Sequence, residues 1–85
     1  HGLERNDLLS LFQWDEETFL KNTEGSAIRR IGYQRWLRNL AVGLGNAPYR
    51  EAIIEALQQK LPEAGDLAAE HIHWAIEQQR QRIAR

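Results

Sequence analysis

Apolar residues recur at three- and four-residue spacing along most of this chain, and the recurrence breaks at a few polar, glycine or proline positions. Asp7 predicts the cap of a short helix through about Phe12 that turns Leu8, Leu9, Leu11 and Phe12 toward a core. Asp15, followed by the acidic first turn Glu16-Glu17-Thr18, predicts a helix to about Lys21 with Phe19 and Leu20 buried. Thr23 to Ser26 reads as a turn, with Ser26 capping a brief helix Ala27–Ile31 that Gly32 ends. A longer helix starts near Tyr33, where Tyr33, Trp36, Leu37, Leu40, Ala41 and Leu44 share one face. Arg35, Arg38, Val42 and Asn46 lie on the other face, with Asn39 at its edge. Gly43 and Gly45 lower helix propensity, so either a second helix packs closely there or Gly45-Asn46 begins the exit turn.

A helix from about Tyr49 to Lys60 follows, using Ile53, Ile54, Leu57 and Leu61. Pro62 to Gly65 breaks the pattern, and Asp66 is the expected cap of a last helix through about Ile83. Leu67, Ile72, Trp74, Ala75 and Ile76 supply the apolar side of that helix in some combination. No strand of useful length emerges. The fold class is all-α: a compact bundle of about five to six helices, or a piece of helical repeat, with short connections and antiparallel neighbours.

Eighty-five residues make one small domain, 1–85, and 42% apolar residues suffice for a modest core. The chain opens at His1-Gly2 without an initiator methionine, which suggests an excised domain of a larger protein, or else a processed one. Zero cysteines exclude disulfides, thiol nucleophiles and thiolate metal sites. The apolar runs are too short to span a membrane, and residues 1–20 are too acidic for a signal peptide.

Charge changes the picture more than composition does. The net formal charge is −1, yet segments 1–24, 25–50, 51–77 and 78–85 carry −4, +5, −5 and +3 from Lys and Arg against Asp and Glu. The run at 25–50 holds five arginines and no acid, the place to seek an anionic partner, nucleic acid first. Arg29 and Arg30 flank a turn. Arg35 and Arg38 sit one helical step apart and can offer two guanidinium groups to adjacent phosphates, with Asn39 and Asn46 adding polar groups on that surface. Pairing of these arginines with the flanking acidic helices, or contact with a protein partner, remains open from the charge pattern alone.

Other signals carry less. His71 and His73 are two apart, off a common helical face, and make a poor metal pair. Glu70 and His71 lack any arranged nucleophile, and His71 reads as a packing residue near Trp74. Gly43-x-Gly45 follows a helix and has no lysine-serine pair after it, so it is no phosphate loop. Trp14, Trp36 and Trp74 could stack on bases if exposed, but burial is expected for all three. The terminal QQRQRIAR reads as a solvated basic helix end.

The strings Thr23-Glu24-Gly25-Ser26-Ala27-Ile28-Arg29-Arg30-Ile31-Gly32, Arg35-Trp36-Leu37-Arg38-Asn39 and Ala41-Val42-Gly43-Leu44-Gly45-Asn46 together resemble the carboxy-terminal region of epoxyqueuosine reductases. Glu70-His71-Ile72-His73-Trp74-Ala75-Ile76 resembles that family's closing helix. The resemblance implies a HEAT-like helical domain that helps hold transfer RNA near its anticodon arm while the enzyme reduces epoxyqueuosine to queuosine. It implies cobalamin and two four-iron four-sulfur clusters in upstream domains, none in this fragment, and no catalysis by this fragment. A cytoplasmic location and a monomer are expected with it. Carried over, Arg29, Arg30, Arg35 and Arg38 become RNA-backbone contacts, whereas Asn39 and Asn46 could instead bond turn carbonyls. Two positions depart from the family pattern: Gly43 stands where alanine is more usual, and Ala69 where arginine often precedes Glu-His. The competing readings are a structural lid on the upstream domains and a protein-interaction module.

Overall fold

Five α-helices and two short 3-10 turns follow one another in the computed structural model, which describes residues 5–83. They are α1 (Arg5–Phe12), α2 (Glu16–Asn22), a 3-10 turn at Ala27–Ile31, α3 (Tyr33–Asn46), α4 (Glu51–Lys60), a 3-10 turn at Leu61–Glu63, and α5 (Asp66–Ile83). Among the described residues there is no strand, so the all-α expectation holds. The local signals account for most boundaries. Asp15 is extended and its carboxylate accepts from the Thr18 N–H at 2.8 Å. Bonds from the Thr18 side chain and backbone hold the Asp15 carboxyl below its usual range. Ser26 Oγ accepts from the Ile28 N–H at 3.1 Å. Gly32, at φ +86°, closes the first 3-10 turn and opens α3, a conformation that a side chain would strain.

Three boundaries differ from expectation. α1 begins at Arg5, ahead of Asp7, because no glycine or proline separates the two. α4 starts at Glu51, leaving Tyr49 outside. Asp66 is the first residue of α5 rather than its cap, since the Ala69 N–H already bonds the Gly65 carbonyl.

α3 is the centre of the packing. Tyr33, Leu37, Leu40, Ala41, Leu44 and Gly45 are buried on it, and the long α5 lies against that face. The start of α3 meets the start of α5, where Gln34 Oε1 accepts from the Gly65 N–H at 2.6 Å. The end of α3 meets the middle of α5, so the two run in the same direction, and α4, which joins them in sequence, packs on α5. Gly45 explains the close approach: a Cβ there would lie 2.5 Å from Trp74 Cζ3 and 3.0 Å from Ala75 Cα. Gly43 has no such reason, because its Cβ would meet only Leu8 Cδ1, at 3.4 Å.

α5 buries Ala68, Ile72, Ala75, Ile76 and Gln79, which recur at three- and four-residue steps. Leu67 and Trp74 fall on a flank roughly 100° away from that line and stay exposed, at 42% and 38%. The expected burial of all three tryptophans is thereby corrected. Trp14 and Trp36 do enter the core margin, stacked at 5.7 Å with Phe19 tilted against Trp36 at 5.1 Å. Leu20 is also exposed, because Phe19 alone faces inward from α2.

Candidate nucleic-acid interface

Two groups of polar residues had to be separated before a surface could be assigned, because one group is spent on the fold. Lys60 is buried, and its ammonium donates to the Trp14 carbonyl at 3.0 Å, the Gln13 carbonyl at 3.5 Å and Tyr33 Oη at 3.2 Å. Glu63 balances it at 3.6 Å. The single hydroxyl proton of Tyr33 has two acceptors in reach, Trp14 O at 2.6 Å and Glu63 Oε1 at 2.9 Å. Burial, then the bond to Glu63, pushes the Tyr33 hydroxyl well above its ordinary pKa and keeps it protonated. This network places a positive charge on carbonyls of the turn that follows α1.

The end of α3 is closed by residues that sequence reasoning placed on a solvated helix end. Gln79 is fully buried. Its amide donates to the Leu44 and Ala47 carbonyls, both at 2.9 Å, and its oxygen accepts from the Arg50 N–H at 3.1 Å. Arg82 is half-buried and donates to the Gly45 carbonyl at 2.7 Å and the Gln78 carbonyl at 3.2 Å. The signal was present in the register: Gln79 continues the step from Ile72 through Ala75 and Ile76, so a polar residue stood on the core line.

What remains is a stripe along the outer face of α3. Arg35, Asn39, Val42 and Asn46 are exposed there and Arg38 is half-buried, all within about 60° of a common line. Arg38 Nε and Nη2 both donate to Asn39 Oδ1, at 3.2 and 3.1 Å, which fixes one edge of the guanidinium and leaves Nη1 outward. Asn46 Nδ2 donates back to the Val42 carbonyl at 3.1 Å. Neither asparagine bonds a turn carbonyl, a correction to that expectation: Asn39 steadies an arginine and Asn46 bonds its own helix.

Arg29 and Arg30 lie apart from this stripe, on the first 3-10 turn. They border a polar cleft of about 670 Å³ with Gly25, Ser26 and Ala27, and Ile28 and Ile31 are exposed beside them. No carboxylate among the described residues lies within ion-pair reach of Arg29, Arg30, Arg35 or Arg38. Pairing with the flanking acidic helices, weighed as the plainest explanation of the charge pattern, is not seen for these four arginines among the described residues.

The chain has no thiolate to hold an iron–sulfur cluster, and the described residues include no group of three or more His, Asp or Glu placed to hold a metal ion. No helix among the described residues is long and apolar enough to cross a membrane.

Fold and surface together define a small all-helical domain with a carboxylate-free basic stripe and buried polar closures at its helix ends. Over nearly its whole length this chain is homologous to a segment of epoxyqueuosine reductases. It is 58% identical over 83 residues to the epoxyqueuosine reductase of Vibrio cholerae, which covers 98% of this chain and 22% of that protein. Against the Aliivibrio fischeri enzyme it is 62% identical over 78 residues, and against that of Escherichia coli 60% over 76. The chain spans about a fifth of the length of the curated relatives it matches. No family model and no solved structure matches it.

Proposed function

We propose that this chain is the helical RNA-holding domain of an epoxyqueuosine reductase, with Arg35 and Arg38 on the phosphates of a transfer-RNA anticodon arm. The observation that carries the reading is the stripe itself: guanidinium groups on one helix face, with no carboxylate among the described residues to neutralise them. A buried or paired arginine serves the fold, whereas an unpaired row at helical spacing suits successive phosphates. The same-direction arrangement of α3 and α5 supports a helical-repeat domain, and reduction of the epoxide belongs to cobalamin and iron–sulfur domains outside this chain. In the same reading the domain works in the cytoplasm as part of a monomer.

The test is a titration of the chain against an anticodon stem-loop of the queuosine class. Wild type should bind, and Arg35→Ala/Arg38→Ala should keep its helical circular dichroism while losing affinity. Its log–log salt slope should fall by roughly 1.4, or about 0.7 per lost contact on single-stranded RNA. Unchanged affinity in the double variant would sink the assignment.

A second reading is favoured at one place. Exposed Ile28 and Ile31 accompany Arg29 and Arg30 on the same 3-10 turn, and this mixed surface suits protein better than RNA. There the 3-10 turn packs on the rest of the enzyme. Amide exchange in residues 25–32 should then be slower in the full-length protein than in this chain; equal exchange would return Arg29 and Arg30 to the RNA surface.

A further inference from the structure

One turn beyond Arg38 the character of the outer face changes. Val42, on α3, forms one wall of a shallow groove of about 400 Å³ whose other wall is the flank of α5 carrying Glu70, His71 and Trp74. The groove is apolar in its walls and open to solvent, with Trp74 38% exposed. Its side chains carry acceptors on Glu70 and His71 and one donor, the Trp74 indole N–H. The Glu70 carboxylate only accepts. His71 Nδ1 lies 3.0 Å from the Leu67 carbonyl, a contact that calls for the proton on Nδ1 and leaves Nε2 as the acceptor of the neutral ring. The two acceptors suit an occupant that is flat and apolar in its body and offers a donor at its edge.

Such an occupant next to a row of phosphate-binding groups is a nucleobase. From Arg38 to Val42 the helix rises roughly 6 Å, about the reach from a backbone phosphate to its own base. Base stacking on an exposed indole is available only to bases out of a duplex. A carboxylate beside it favours bases with an exocyclic amino group over uracil, which has none. We propose that the groove of Val42, Glu70, His71 and Trp74 receives an unpaired, amino-bearing base of an RNA whose phosphates lie on Arg35 and Arg38. This rests on the RNA reading given above and adds a site for unpaired structure to it. Trp74 stacks on the base, Val42 supports the other side of the cleft, and Glu70 accepts from the amino group.

The experiment uses the 85-residue chain and three RNA probes with one common stem: a hairpin with cytidines unpaired in its loop, one with uridines there, and a continuous duplex. Wild type should prefer the cytidine hairpin to both others. Trp74→Leu should weaken the hairpin about tenfold while leaving the duplex affinity and the salt slope unchanged. Glu70→Gln, at an exposed position, should erase the preference of cytidine over uridine. If Trp74→Leu loses its helical circular dichroism, the wild-type probe comparison and Glu70→Gln each decide alone. Equal binding of hairpin and duplex by wild type, or a folded Trp74→Leu with wild-type affinity for the hairpin, overturns the base site. In that case Arg35→Ala/Arg38→Ala still reports on the RNA reading, which stands if that variant loses affinity. A wild-type chain that binds none of the probes at low salt removes both, and a basic protein segment becomes the occupant to seek.

Discussion

Lys60 and the arginines of α3 are cations in the same small fold, and the fold treats them in opposite ways. Lys60 is enclosed, with two backbone carbonyls, a phenol and a carboxylate around its ammonium. Arg35 and Arg38 stand on the outer face with an asparagine and no carboxylate. A buried charge without partners is costly, so the partners of Lys60 are part of its being there at all. An exposed guanidinium is hydrated and costs the fold little whether paired or not. Lys60 is thus tied to stability, and the α3 arginines are left available to a ligand.

The sharpest break of that contrast lies in the other enclosed polar residue. Gln79→Leu keeps the volume but removes the amide donor to the Leu44 and Ala47 carbonyls and the acceptor of the Arg50 N–H, so unfolding free energy should drop by about 3 kcal/mol in urea denaturation. Lys60→Met should cost about 2 kcal/mol by the same measurement, less than a fully buried pair because Glu63 is half in solvent. A loss near zero in either variant would mean these closures are ornamental.

The two glycines of α3 sharpen it next. Gly45→Ala forces α3 and α5 apart at Trp74 and Ala75 and should destabilise by about 1–2 kcal/mol. Gly43→Ala meets only ordinary contact with Leu8 and should stabilise by about 0.5–1 kcal/mol through helix propensity. Thermal melts of the pair should therefore move in opposite directions.

Tyr33 adds a pH signature. Its hydroxyl ionises at higher pH in the folded state than the usual 10 of an unfolded chain. Between those values the folded state holds a proton that the unfolded chain releases, so this contribution is full below pH 10 and is lost as pH rises above it. Tyr33→Phe should show a shallower alkaline loss of stability than wild type. The smallest effect belongs to the arginines: Arg35→Ala/Arg38→Ala should change unfolding free energy by no more than about 0.5 kcal/mol. A larger loss would place them with Lys60 rather than opposite it.

Legibility followed the range of the interactions. Asp15, Ser26 and Gly32 act on backbone groups a few residues away, so their composition and order announced α2, the first 3-10 turn and the start of α3. The stripe of Arg35, Arg38 and Asn39 was equally readable, since one helix places it. Arg29 and Arg30, read as lying beside a turn, stand on the glycine-bounded 3-10 turn that precedes α3. Of the two readings offered at Gly45-Asn46, close packing of a second helix is the one the structure shows, and α3 runs through Asn46.

Approximate helix positions, the caps at Asp15 and Ser26, the acid-free basic segment and the likeness to epoxyqueuosine reductases were determined by the sequence alone, because each depends on neighbours within a turn or on the string itself. Only the tertiary structure decided which flank of α5 is buried, and with it the exposure of Leu67 and Trp74. It also decided that Gln79 and Lys60 go inside. Apart from Glu63, their partners lie between 27 and 47 residues away, and a polar side chain enters a core only where distant groups satisfy it.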